Sequence, residues 1–146
     1  MAESDQEFVR ELVKRNRYLT LATTDGVDPW IAPLEYLSDG DLNLYYFSPE
    51  SAAHSQHLSD RGSVAFTIFD AVQPEYEPAS VMRIAGVQAT AISQKLEAPF
   101  PALVNDQIEA WKLPMPPYAV YQVTPKRWFI PVITDGVNDR LEVTMS

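Results

Sequence analysis

The feature that most constrains this chain is a succession of short apolar runs in residues 19–69, cut by two acidic glycine turns, Asp25-Gly26 and Ser38-Asp39-Gly40-Asp41. Each run is too short for a stable helix of its own and is rich in aromatic and β-branched residues, the composition of a strand. Tyr18–Thr24, 29–37, 42–47 and Ser63–Phe69 therefore read as four successive strands. Within 29–37, Trp30, Ala32, Leu34 and Tyr36 share one face, and Ile31, Pro33, Glu35 and Leu37 the other. Pro33 has no N–H to give a ladder, so that strand belongs at an edge or is interrupted there.

The remaining segments fit around these strands. Ser4 stands three residues before Glu7, a capping box, and Phe8, Val9, Leu12 and Val13 recur at helical spacing, which predicts an amphipathic helix over 5–16. Its end carries Lys14-Arg15-Asn16-Arg17, cations that favour a helix C-terminus. Residues 51–59 and 101–112 suit further short helices, the latter stopped by Leu113-Pro114-Met115-Pro116-Pro117. Residues 81–92 read as one long strand whose Gly86 marks a bulge or a close approach by another backbone. Extended pieces at 118–123, 126–133 and 140–144 complete the chain around Asp135-Gly136. Six or seven strands in 146 residues predict one domain, mainly β, built as a small barrel.

Composition narrows the function. There is no cysteine, which excludes disulfides, thiolate catalysis and cysteine zinc sites. The net charge is −9 and no basic patch is visible, so nucleic acid is not an expected partner. No apolar run approaches the ~20 residues of a bilayer span, and the acidic N-terminus has no signal-peptide pattern. The expectation is a soluble cytoplasmic protein. Gly-x-Ser-x-Gly, P-loop and Gly-x-Gly-x-x-Gly motifs are all absent. His54 and His57 could share a helix face, but no third metal ligand accompanies them. A chain with so few reactive groups fits chemistry carried by a bound cofactor.

The strand from Leu19 to the Asp25-Gly26 turn, the strand from Pro29 through Pro33 to Tyr36, Tyr46-Phe47-Ser48, Ile84-Ala85-Gly86 and Asp139-Arg140-Leu141 follow one another in this order along the chain. Together they resemble the FMN-binding split barrel of the pyridoxamine 5'-phosphate oxidase family. The resemblance implies a six-stranded antiparallel split β-barrel of Greek-key type with a few flanking helices. It also implies a homodimer with the cofactor, FMN, at the subunit interface. Ile31, Ala32 and Pro33 would face the flavin ring, with Phe47 and Ser48 on the neighbouring strand. Ser51, Ala52 and His54 would stand at the helix start that receives the phosphate, where a helix N-terminus offers free N–H groups. Trp128 and Arg140 come from the region the family uses to complete the partner's pocket.

Where the family places Ser-Arg-Lys, this chain has Ala52-Ala53-His54. Two phosphate-binding side chains are thus missing, and altered cofactor affinity is expected. The implied activity is hydride transfer between a reduced nicotinamide or small substrate and flavin N5, with no obligatory acid–base residue; a vitamin B6 substrate is not expected. Three alternatives stay open: a non-enzymatic flavin-storing or flavin-sensing dimer, a barrel binding deazaflavin F420 or haem, and a cofactor-free interaction module.

Overall fold

The computed structural model describes residues 3–58, 62–76 and 81–146. In chain order the elements are α1 (Asp5–Arg15), β1 (Tyr18–Thr24), β2 (Pro29–Glu35), β3 (Leu37–Ser38), β4 (Leu44–Pro49), α2 (Ala53–His57), β5 (Ser63–Phe69), β6 (Met82–Arg83), β7 (Gly86–Lys95), α3 (Ala102–Trp111), β8 (Tyr118–Thr134) and β9 (Val137–Val143). All pairings are antiparallel, in the order β2-β1-β5-β7-β8-β4-β3, with β6 and β9 also paired to β8. The fold is the mainly β, antiparallel split barrel that the sequence led one to expect.

Helix α1 starts as its capping box dictates, with Glu7 N donating to Ser4 Oγ at 3.1 Å and Ser4 N donating to Glu7 Oε2 at 3.4 Å. Phe8, Val9, Leu12 and Val13 are buried against the barrel. The two arginines of the basic run at its end form ion pairs. Arg15 meets Asp70 and Arg17 meets Glu35, both at 2.6 Å. An arginine such as Arg17 or Arg61 could stand in for the phosphate-binding side chains missing at Ala52-Ala53; Arg17 is paired with Glu35, and Arg61 lies outside the described residues.

The core follows strand alternation. Leu19 and Leu21 of β1, Val64, Phe66 and Ile68 of β5, and Val87, Ala89 and Ala91 of β7 point inward to meet Leu44, Tyr46, Tyr121, Val123, Trp128 and Ile130. A smaller cluster of Tyr45, Val104 and Val120, with Phe47 packed on it, lies with α3. Strand β2 sits at the sheet edge, where its two prolines are tolerated.

Several boundaries differ from the sequence reading. The strand expected over 29–37 breaks at Tyr36, whose N–H donates to Arg17 O at 2.9 Å and whose hydroxyl donates to the Val13 carbonyl. The strand expected over 81–92 is two, because a turn closed by Gly86 N donating to Ile84 O at 2.8 Å hands the chain from β6 to β7. The pieces 118–123 and 126–133 form one strand, β8. Pro125 interrupts it only locally, as a register shift against β7 between Thr90 and Ala91. Strand β9 then returns through Asp135 and Gly136, whose φ values of 51° and 77° make the tight turn. Helix α2 is shorter than 51–59, ending at His57. Among the described residues no helix is long and apolar enough to cross a membrane.

Candidate functional site

Because β1, β5 and β7 turn their large residues inward, small and hydroxyl-bearing ones are left on the outer face. These are Thr20, Ala22 and Thr24, then Ser63, Ala65 and Thr67, then Gln88 and Thr90. Two adjoining cavities follow from the shortage of bulk. One, of about 290 Å³, is bounded by Thr20, Ile31, Thr67, Gln88, Phe129 and Arg140. The other, of about 620 Å³, is bounded by Thr24, Ser63, Lys126 and Arg127. Both rest on Ala22, Ala65 and Thr90, so they form one open trough.

Its wall on β8 is an aromatic ring between two guanidinium groups. Arg140 Cζ lies 4.5 Å from the Phe129 ring centre and Arg127 Cζ 5.0 Å from it. Such contacts contribute about 0.5–1 kcal/mol each at exposed sites. Arg127 is also held by Glu142 in a two-pronged pair, at 3.0 and 2.7 Å. Arg140 makes no ion pair among the described residues, so its charge stays available to a ligand.

The helix expected to hold phosphate is arranged differently. His54 is turned into the protein, with Nε2 2.7 Å from Ser48 Oγ and the imidazole edge-on to Tyr46 at 6.1 Å. His57 Nδ1 lies 2.8 Å from Thr23 Oγ1, tying α2 to β1. Ala52 caps the helix without a side-chain hydrogen bond, and Ser55 Oγ is buried with no partner among the described residues. Burial, and secondarily the charge of His57, lowers the pKa of His54.

This His54 environment gives a testable pH dependence. A lowered folded pKa means the unfolded chain binds the proton more readily. Stability is therefore full above the unfolded value, about 6.5, and falls as pH drops towards the lower folded value. We expect urea midpoints of the wild type to decline over that window. A His54→Gln variant should show a flatter profile there; an unchanged slope would place the titration elsewhere.

The structure distributes the sequence-predicted site residues among three places. Ile31 and Arg140 line the trough, and Pro33 pairs with Thr20 at its margin. Ser48, Ser51, Ala52 and His54 form the α2 corner. Ala32, Phe47 and Trp128 face inward or under α3. Ala32 is buried, Phe47 meets Trp111 edge-on, and Trp128 is edge-on to Phe66 in the core with only 4% of its surface exposed. Phe129, one residue on, takes the outward place that the sequence reading gave to Trp128. Alternation around the apolar stretch of β8 is the signal that identifies it.

The trough suits a flat, largely apolar ring, with threonine and glutamine groups for its polar edges. The α2 corner does not suit a phosphate. Ala52 and Ala53 offer no side-chain donors, and His54 is committed to Ser48. Among the described residues, no cluster of three or more histidines and carboxylates could hold a metal ion.

Comparison with known proteins agrees with the fold. The sequence profile described as pyridoxamine 5'-phosphate oxidase matches residues 5–130. No curated protein sequence matches the chain. A haem-binding protein from Mycobacterium smegmatis superposes with a TM-score of 0.71 at 16% identity, covering 97% of this chain and 59% of that one. A haem storage protein from Vibrio cholerae gives 0.65 at 14% identity, covering 84% and 91%. A FAD-binding protein from Mesorhizobium loti gives 0.59 at 15% identity, covering 97% and 96%.

Proposed function

The chain belongs to the pyridoxamine 5'-phosphate oxidase family, and from that premise we propose that it binds a flavin-class redox cofactor, FMN, in the outer trough and acts as a flavin-dependent oxidoreductase. The observation that carries this reading is the trough itself, a bed of small side chains closed on one side by Phe129 and Arg140. Ala22, Ala65 and Ile31 would lie against the ring, and Thr20, Thr67 and Gln88 would reach its polar edge. Arg140 would favour negative charge developing on the ring. When bound, the group supplies hydride exchange. The first cavity's lining contains no carboxylate and no histidine, so the protein's part is to position reactants and to exclude water.

A second copy of the chain would complete the site. Ile31 on β2 and Phe69 on β5 expose apolar side chains on the trough's face of the sheet, the kind of surface that a partner subunit covers.

Affinity for FMN should be low for this family. A hydrogen bond to a charged group contributes roughly 1.5–3 kcal/mol. Two missing at the α2 corner weaken binding by about two or more powers of ten. The test is a visible absorption spectrum of the purified protein before and after adding FMN, followed by ultrafiltration. Flavin bands that partition with the protein only at raised FMN are the expected result. A clear spectrum in excess FMN would overturn the reading in favour of a cofactor-free barrel, which the Ala52-Ala53 corner also fits; a Soret band would point to haem. Light scattering should report a dimer.

A further inference from the structure

We infer that the anionic end of the ligand is received by Lys126, with Ser63 and Thr90 beside it, at the far end of the trough from Arg140. The start of α2 plays no part in holding it. This inference rests on the proposal that a flat-ring ligand occupies the trough, and adds where its negative group goes.

The reason lies in β8. Thr90 pairs with Arg127 across the ladder, but the next residue, Ala91, pairs with Pro125, so Lys126 has no partner opposite. In an unbroken strand, Lys126 and Arg127 would project to opposite faces of the sheet. The bulge, made where Pro125 lacks an N–H, lets both consecutive cations border the same cavity. Bulges are used in this way to re-aim side chains beside functional sites. Arg127 is neutralised by Glu142, whereas Lys126 has no ion pair among the described residues. The hydroxyls of Ser63 and Thr90 border the same cavity and can donate to an oxyanion. In a chain of net charge −9, this is a local reversal of sign that favours an anion over the surrounding surface. The α2 corner has the opposite character, with two methyl groups and a buried, inward-facing imidazole.

The ligand implied is a flat aromatic body joined to a phosphate or carboxylate. The experiment compares FMN with riboflavin, the same ring system without the phosphate, by fluorescence titration of the full chain. Wild type should bind FMN about tenfold more tightly than riboflavin. Added salt should reduce that preference. Lys126→Ala should abolish the preference by weakening FMN alone, and Ser51→Ala should leave it intact. Lys126 is exposed, so its variant should keep the wild-type unfolding midpoint. A second pair of probes separates this claim from the flavin reading: anilinonaphthalene sulfonate, aromatic and anionic, and Nile red, aromatic and neutral. If neither flavin binds but the sulfonate dye still weakens with Lys126→Ala while Nile red does not, the anion site stands and the flavin reading falls. If Lys126→Ala changes neither FMN nor the sulfonate dye relative to its neutral counterpart, or neither anion binds, the inference is overturned.

Discussion

Replacing Tyr46 by alanine is expected to remove about 3–5 kcal/mol of folding stability, the range for deleting a large buried aromatic ring. Tyr46 is almost fully buried in β4, stacks on Tyr121 of β8 at 5.1 Å with the rings 9° from parallel, and meets His54 of α2 edge-on. The ring therefore joins two strands and a helix, and the space left behind is bounded by elements fixed in the sheet, which limits collapse. Burial also pushes the phenol pKa up, keeping the hydroxyl neutral. That hydroxyl has only a long contact, 3.5 Å, to Ser93 Oγ, so Tyr46→Phe should cost no more than about 1 kcal/mol. Urea unfolding followed by tryptophan fluorescence gives both values. A similar, small loss for the two variants would show that the ring does not bear the packing described.

Gly86→Val is expected to cost about 3 kcal/mol, and Gly86→Ala about 1 kcal/mol, as overpacking does. A Cβ at Gly86 would lie 3.0 Å from Phe69 Cβ and 3.3 Å from Ile68 O, atoms of β5 that are part of the strand or directly attached to it. They cannot swing aside as the tip of a long side chain could. The strand pair must separate where β7 begins, which would also disturb the trough through Thr67 and Gln88, partners in the same ladder. Thermal denaturation and ligand affinity should worsen together. A Gly86→Val protein of wild-type stability would contradict the close approach of β5 and β7.

How much of this was legible in the sequence depended on the range of the interaction involved. The capping box of α1, the strands Tyr18–Thr24 and Ser63–Phe69, and the edge position of the Pro33 strand all follow from local chemistry, and each is present. Gly86 was legible as either a bulge or a close approach by another backbone, and it is the close approach to β5 that the structure shows. The union of 118–123 and 126–133 into one strand was not legible. Pro125 reads as an interruption, and only a partner strand can absorb the extra residue as a bulge. The site divided in the same manner. Ile31 and Arg140 lie far apart in sequence but share one cavity. Trp128 was named from the region the family uses to complete the partner's pocket, yet alternation set from the other side of the sheet gave it to the core and turned Phe129 outward. The inward turn of His54 depends on Ser48 and Tyr46 of β4, a tertiary contact that helix spacing does not encode.

Pro29 and Pro33 in the edge strand β2 bear on how copies of this chain can meet. They are four residues apart, so their missing N–H groups belong to the same side of the strand, and proline in an edge strand is tolerated where that side looks out to solvent. The outer margin of the sheet is therefore short of donors. A neighbouring molecule cannot readily zip on as one more strand, the route by which bare margins lead to fibres. Continuous growth of the sheet from molecule to molecule is blocked at this margin, while contact between the broad faces of two barrels is left open. The two prolines thus make this margin a poor template for open-ended growth.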